Sequence, residues 1–226
     1  MSESFHPTAQ VTPRRLSACS SVLLLVMAIF ASCSQGSASS VPAEVLDADV
    51  YETCLRDFIV EYDVQDRASV LVVHESTVEV ALPRARSHDA QYTLLKGRLP
   101  ALRSDTFFDF VRKNVRADSR LPTSIDSTLP IKLLSEDARR RIFEIHKAAV
   151  GRVDPLKVAW HRFHQEFEGA CGLLEFSRIG YSEQSDQALL HIYHTWDCLA
   201  GVGVYYILSR DATGWHVIAH IVGSYT

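Results

Sequence analysis

Ten histidines in 226 residues are the first place to look for chemistry. His161, His164 and Glu168 follow one another at one-turn intervals in a helical pattern, so they could share a divalent cation on one flank. The spacing lacks the Glu beside the first His that a zinc-protease helix uses as its base, and a hydrated flank explains the trio as well. We assign no metal and no cofactor. His191 and His194 are three apart in a strand pattern, which sends their side chains to opposite faces. His216 and His220 would share a face, but four residues of strand hold their Cβ atoms roughly 13 Å apart, too far for one ion. His194, beside Trp196, is the best candidate for a buried polar group. Together with Arg178 and Tyr206 these two make the candidate ligand pocket, expected on the concave face of a sheet.

Other constellations are weaker still, and we assign no catalytic residue. A Gly-x-Ser-x-Gly elbow is absent, and Ser177-Arg178 opens a strand without the strand-turn-helix context that exposes a nucleophile. Glu175 and Glu183 form no obvious acid pair. Gly201-Val202-Gly203 is too short for a dinucleotide loop and suits a tight turn or bulge. Arg139-Arg140-Arg141 reads as a solvated helix face. The formal charge of −4 leaves no basic surface of the kind nucleic acid needs.

These residues are positioned by a carboxy-terminal run of strands. Leu174–Tyr181, Ala188–Trp196, Gly203–Arg210 and Trp215–Tyr225 are rich in Val, Ile and Tyr and are separated by short polar turns. That is the pattern of an antiparallel meander. Asp211-Ala212-Thr213-Gly214 supplies a side-chain acceptor first and a residue tolerant of positive φ last. In the last strand Trp215, Val217, Ala219 and Ile221 are expected on one face, with His216, Ile218, His220 and Val222 on the other. In Ala188–Trp196 the face bearing Leu189, His191, Tyr193 and Thr195 is half apolar, so helices or a loop should lie over it.

Upstream, Pro42–Tyr62 reads as a helix with Leu46, Val50, Cys54, Leu55, Phe58, Ile59 and Tyr62 on one face. Ser69–Val80, with Val70-Leu71-Val72-Val73 as its buried part, is the expected fifth strand. Arg84–Pro100 is ambiguous. Ser104 is read as the N-cap of Asp105–Lys113. Arg116–Pro130 reads as a long surface loop. Ser135 caps a helix that should run to Gly151, and Asp154-Pro155 opens another with Leu156, Ala159, Trp160, Phe163 and Phe167 as its apolar stripe.

The amino terminus has a different character. Val22–Ala31 is a continuous apolar run, too short for the roughly 20 residues of a membrane-spanning helix, and it follows Arg14-Arg15. It fits the core of a signal peptide over residues 1–32. Phe30-Ala31-Ser32-Cys33 resembles the lipobox of bacterial lipoproteins, with Cys33 cleaved and acylated. Ser34–Ser40 then forms part of a flexible tether over residues 33–41, and residues 42–226 are read as one domain. The expected destination is the bacterial cell envelope, with a lipid anchor as the membrane partner; Ser34 favours the outer membrane if the host has one. The alternative is cleavage near Ala31 or Ala38 and a soluble secreted or periplasmic product. Loss of Met1–Ser32 removes one acid and two bases, which moves the formal charge from −4 to −5.

With Cys19 in the leader and Cys33 acylated, Cys54, Cys171 and Cys198 remain. Cys171 and Cys198 flank the first two strands of the meander and are the candidate disulfide, which would contribute about 3–4 kcal/mol in the chain-entropy model. Cys54, on the buried helix face, is left as the free thiol.

Phe176-Ser177-Arg178-Ile179-Gly180-Tyr181, Gln187-Ala188-Leu189, Gly201–Leu208 and Gly214-Trp215-His216-Val217 form a series that resembles a group of uncharacterised exported bacterial proteins. The resemblance extends upstream to Thr106–Phe110 with Asn114 and to Leu133-Leu134-Ser135-Glu136, so it covers most of the chain after the leader. Where that group has Phe-Asn after Ser-Arg-x-Gly, this chain has Tyr181-Ser182. The resemblance implies export and a fold, and no activity.

The expectation is therefore an α+β domain, with an antiparallel sheet of about five strands covered on one side by three or four helices. The element order is like that of nuclear-transport-factor-like (NTF2) and cystatin-like folds. The function expected is that of a non-catalytic, envelope-anchored binding or interaction module. The alternative is a small-ligand-binding or hydrolytic pocket.

Overall fold

Val70–His74 forms a strand, β1, that is buried at every position. A run of Val-Leu-Val-Val has no polar face, so it needs neighbours on both edges and cover on both faces. It has all of these. The computed structural model describes residues 43–80, 82, 87–115, 119–144, 154–197 and 199–225. Its helices are α1 (Ala43–Glu61), α2 (His88–Arg98), α3 (Ser104–Asn114), α4 (Glu136–Phe143) and α5 (Pro155–Glu166). Its other strands are β2 (Ile131–Leu134), β3 (Ala170–Phe176), β4 (Gly180–Tyr181), β5 (Gln187–Asp197), β6 (Ala200–Asp211) and β7 (Gly214–Tyr225). The leader, the tether, Cys33, Gly151 and Cys198 lie outside the described residues. Among those described, no helix is long and apolar enough to cross a membrane.

The fold is α+β, but the sheet is not a five-stranded antiparallel one. It has seven strands in the order β2-β1-β3-β5-β6-β7, with β4 also paired to β5. β1 runs parallel to both β2 and β3, and the remaining pairings are antiparallel. Parallel neighbours need long crossovers, which is where α2 and α3, then α4 and α5, fall in the chain. The segment expected as one strand, Leu174–Tyr181, is two. Between β3 and β4, Ser177 replaces a regular ladder: its N–H donates to the His191 carbonyl, and its Oγ accepts from the His191 N–H.

Helices cover both faces, not one. On the first face α1 lays Cys54, Leu55 and Phe58 over Leu174, Phe176, Leu190, Ile192, Val204 and Tyr206. On the second face α2 and α3 pack Leu95, Leu99, Phe107 and Phe110 against Leu189, Tyr205 and Ile207. Also on that face, α4 and α5 pack Ile142, Trp160 and Phe163 against Val72 and Leu173. Central strands that are apolar on both faces leave no side for water.

Local chemistry sets the helix starts. Ser135 and Asp154 cap α4 and α5 through their side chains, accepting from Ala138 N–H and Leu156 N–H. Ser104 is not a cap; it is the first residue inside α3, and Arg103 precedes it without a capping side-chain bond. Asp105 instead accepts from the N–H of Glu183, tying α3 to the turn after β4.

The contact of α3 with β4 is unusually close. A Cβ on Gly180 would lie 2.4–2.5 Å from the backbone N, Cα and Cβ of Phe110, so only glycine fits there. Asn114, at the end of α3, fastens the same contact. Its amide donates to the carbonyls of Phe110 and Arg178, and its oxygen accepts from Arg178 N–H, each at 2.9 Å. Asn114 is 5 % exposed. Asn114→Ala is expected to cost about 2–3 kcal/mol, because buried backbone groups lose their partners. Urea unfolding measures this; a loss under about 0.5 kcal/mol would show that water replaces the amide freely.

β7 departs from simple alternation. Ile207 pairs with Ala219 and Leu208 with Val217, which leaves Ile218 as an extra residue; Gly223 is a second, between Val222 and Ser224. The first bulge flips the face. Trp215 and Val217 pack toward α1, while Ala219 and Ile221 pack toward α2 and α3. His216, opposite Ser209, and His220, opposite Tyr206, therefore point to opposite faces rather than sharing one.

Candidate functional site

On the second face α2 and α4 both line a cleft of about 700 Å³. Its floor is built by register. Glu175 of β3 sits opposite Tyr193 of β5, and His191 of β5 sits opposite Tyr205 of β6, so all four side chains rise from the same face. One wall is Val78–Val80 and α2, with Leu94, Leu95 and Arg98. Arg139 of α4 and Ser224 of β7 complete the lining.

His191 is 8 % exposed, and its ring lies 4.5 Å from that of Tyr205. Burial holds its pKa down at about 4, from an ordinary 6.5, so the ring is neutral at pH 7. Its Nδ1 is buried without a hydrogen-bond partner. Gly203 lets the ring come close to the β6 backbone: a Cβ there would lie 2.7 Å from His191 Nε2 and 2.8 Å from Ser224 Oγ, and would clash with both. A ring nitrogen and a hydroxyl thus converge over a residue that has no side chain.

Glu175 is the other polar group of the floor. Burial pushes its carboxyl pKa up, and Arg139, with Nε 3.7 Å away, pulls it back. Behind it stands His74, 5 % exposed, whose Nδ1–H donates to the Ser76 carbonyl at 2.8 Å. His74 Nε2 lies 3.2 Å from Glu136 at the start of α4. Arg98 is exposed and is anchored by one nitrogen to the Val222 carbonyl, at 2.7 Å.

This arrangement suits binding better than acyl transfer. A base whose pKa is near 4 removes a proton from a serine hydroxyl poorly at neutral pH. A Ser-His pair also needs a group that orients the far ring nitrogen, and Nδ1 has none. Apolar walls with a few convergent polar groups are what a small-molecule site provides.

The pocket expected from sequence is divided. His194 and Trp196 are neighbours, with ring centroids 5.1 Å apart. His194 faces α1, edge-on to Phe58 at 5.5 Å, and burial also lowers its pKa to about 4. Tyr206 is fully buried under α1. It pairs with Leu190, whereas His194 pairs with Val202, which sets the two four residues apart along the ladder. Arg178 lines a different cleft of about 630 Å³, with Asp47, Tyr51, Lys113 and Arg120. The face taken for the pocket is filled by α1. Cys171 Sγ lies 3.8 Å from His194 Nε2; its expected partner, Cys198, is outside the described residues.

Of the histidine sets, His161 lies 3.0 Å from the amide of Gln165 on an exposed flank, and Glu168 falls beyond the end of α5. Among the described residues, no group of three or more His, Cys, Asp or Glu is placed to hold a metal ion. The signals that pointed to the real cleft were Glu175 within Leu173-Leu174-Glu175-Phe176 and the half-polar face of His191 and Tyr193. Sequence reasoning weighs Glu175 only as an acid pair and that face only as one to be covered, and assigns neither to a pocket.

Comparison of the chain with protein-family models, with curated proteins and with solved structures returns no match.

Proposed function

We propose that the protein is an exported bacterial binding module that takes a small organic molecule into the cleft between α2 and α4. One observation carries this reading: a cleft of about 700 Å³ has an aromatic floor, with the His191 ring 4.5 Å from that of Tyr205, and a few polar groups, Arg98, Glu175 and Ser224, around it. The test is fluorescence titration with the uncharged probe N-phenyl-1-naphthylamine. Saturable one-to-one binding is expected, and Ser224→Trp, which fills the cleft mouth, should abolish it. Equal binding by Ser224→Trp would show that the probe lodges elsewhere and would sink the reading.

Export and anchoring belong to the same proposal. The apolar run Val22–Ala31 and the sequence Phe30-Ala31-Ser32-Cys33 support a cleaved leader and a lipid on Cys33, with the tether holding the module at the envelope surface. Membership of the group of exported bacterial proteins described above rests on the same footing. Mass spectrometry of the mature protein is expected to find a chain beginning at an acylated Cys33; a chain retaining Met1 would overturn it. The order of helices first and meander last supports an architectural kinship with NTF2-like or cystatin-like folds, an analogy that carries no function.

A further inference from the structure

The cleft contains two guanidiniums on different elements, Arg98 of α2 and Arg139 of α4, and two carboxyls, Glu79 and Glu175. The charges balance on paper but not in space. Glu79 is exposed to solvent. Glu175 and Arg139 face each other at 3.7 Å, and burial disfavours the charged form of that carboxyl. Among the described residues Arg98 has no ion pair; it donates to the neutral carbonyl of Val222, two residues before Ser224, and both Arg98 and Ser224 line the cleft. Deeper in, the floor is aromatic, with the His191 ring 4.5 Å from Tyr205 and lying nearly parallel to Tyr193 at 15°.

We infer that the ligand is a small organic anion with a flat apolar body, its acidic group held by Arg98 and the Ser224 hydroxyl and its body laid on the His191–Tyr205 floor. The inference rests on the cleft being a binding site, and the test separates the two claims. Guanidinium pairs strongly with oxyanions through two parallel N–H donors, and aromatic rings stack on aromatic rings, so an anion at the rim and a ring on the floor use both parts of the lining.

The experiment compares 1-anilinonaphthalene-8-sulfonate with N-phenyl-1-naphthylamine, which share an aromatic body and differ in the sulfonate. Titrations use the protein and its Arg98→Gln and Arg98→Lys variants, with thermal melts confirming that both variants fold. Loss of a charge-assisted bond is expected to weaken the anionic probe by about tenfold or more in Arg98→Gln, with partial rescue in Arg98→Lys. The neutral probe should bind all three equally. If Arg98→Gln leaves the anionic probe unchanged, or weakens both probes alike, the anion assignment falls while the binding site stands. If neither probe binds the unaltered protein, or Ser224→Trp still binds both, the site itself falls.

Discussion

Lowering the pH from 7.5 to 5 is expected to remove about 4 kcal/mol of folding free energy through two side chains, His191 and His194. They lie on opposite faces of β5, each 8 % exposed or less, and burial holds each pKa at about 4. An unfolded chain protonates the same rings near their ordinary 6.5. Between those values the unfolded state binds more protons, so stability falls as the pH falls, and the loss is complete only below about 4. At pH 5 each ring contributes about 2 kcal/mol of the loss, from 1.36 kcal/mol for each pH unit below 6.5. The raised carboxyls of Asp47, Asp57 and Glu175 act in the opposite sense, since the folded state then holds their protons more tightly. A double variant isolates the histidines. Urea unfolding of His191→Phe/His194→Phe at both pH values should show a fall smaller by about 4 kcal/mol than that of the parent. An undiminished fall would assign the acid sensitivity to other groups.

The second large effect is expected at Phe58. This ring is fully buried on α1, stacked 4.6 Å from Tyr62 and edge-on to His194. It stands over Leu190, Ile192, Val204 and Tyr206, on a sheet face whose helical cover among the described elements is α1. Phe58→Ala removes the ring and leaves a cavity that a long central sheet cannot collapse to fill. The cost should be about 3–5 kcal/mol, or a drop of about 10–15 °C in Tm for a domain of this size. Calorimetry decides it. A drop of only a degree or two would mean that α1 is loosely docked and that the first face is held by the strands alone.

Much of the fold could be read in the residues, and the unread parts share a physical cause. Local signals were legible. The Asp211–Gly214 turn closes as expected, with Asp211 accepting from the Thr213 N–H at 2.7 Å and Gly214 at φ +121°. Asp154-Pro155 opens α5, and the spacing of Val50, Cys54, Leu55 and Phe58 does mark the buried face of α1. Pairings between distant segments were not legible. β2 is four residues long, half of them exposed, and it joins β1 in parallel, so no hairpin turn announces it. The Ile218 bulge cannot be read from alternation, because an apolar residue there satisfies either face. The cleft draws its lining from β3, β5, β6, β7, α2 and α4, and only the packing of two helix pairs brings these together. The opposite faces of His191 and His194 follow from strand spacing, but the edge-on contact of His194 with Phe58 joins two segments far apart in the chain and has no local signal.

The bulges of β7 have a consequence beyond re-aiming two histidines. β7 ends the strand order, and it is long enough to template another chain. A visiting strand laid along it would find donors and acceptors thrown out of step at Ile218 and again five residues on at Gly223. It could zip over only a few residues before the ladder broke, so fibre-like growth through this border is checked by the backbone itself. The chain can therefore keep a twelve-residue border strand without welding to its copies, however concentrated they are.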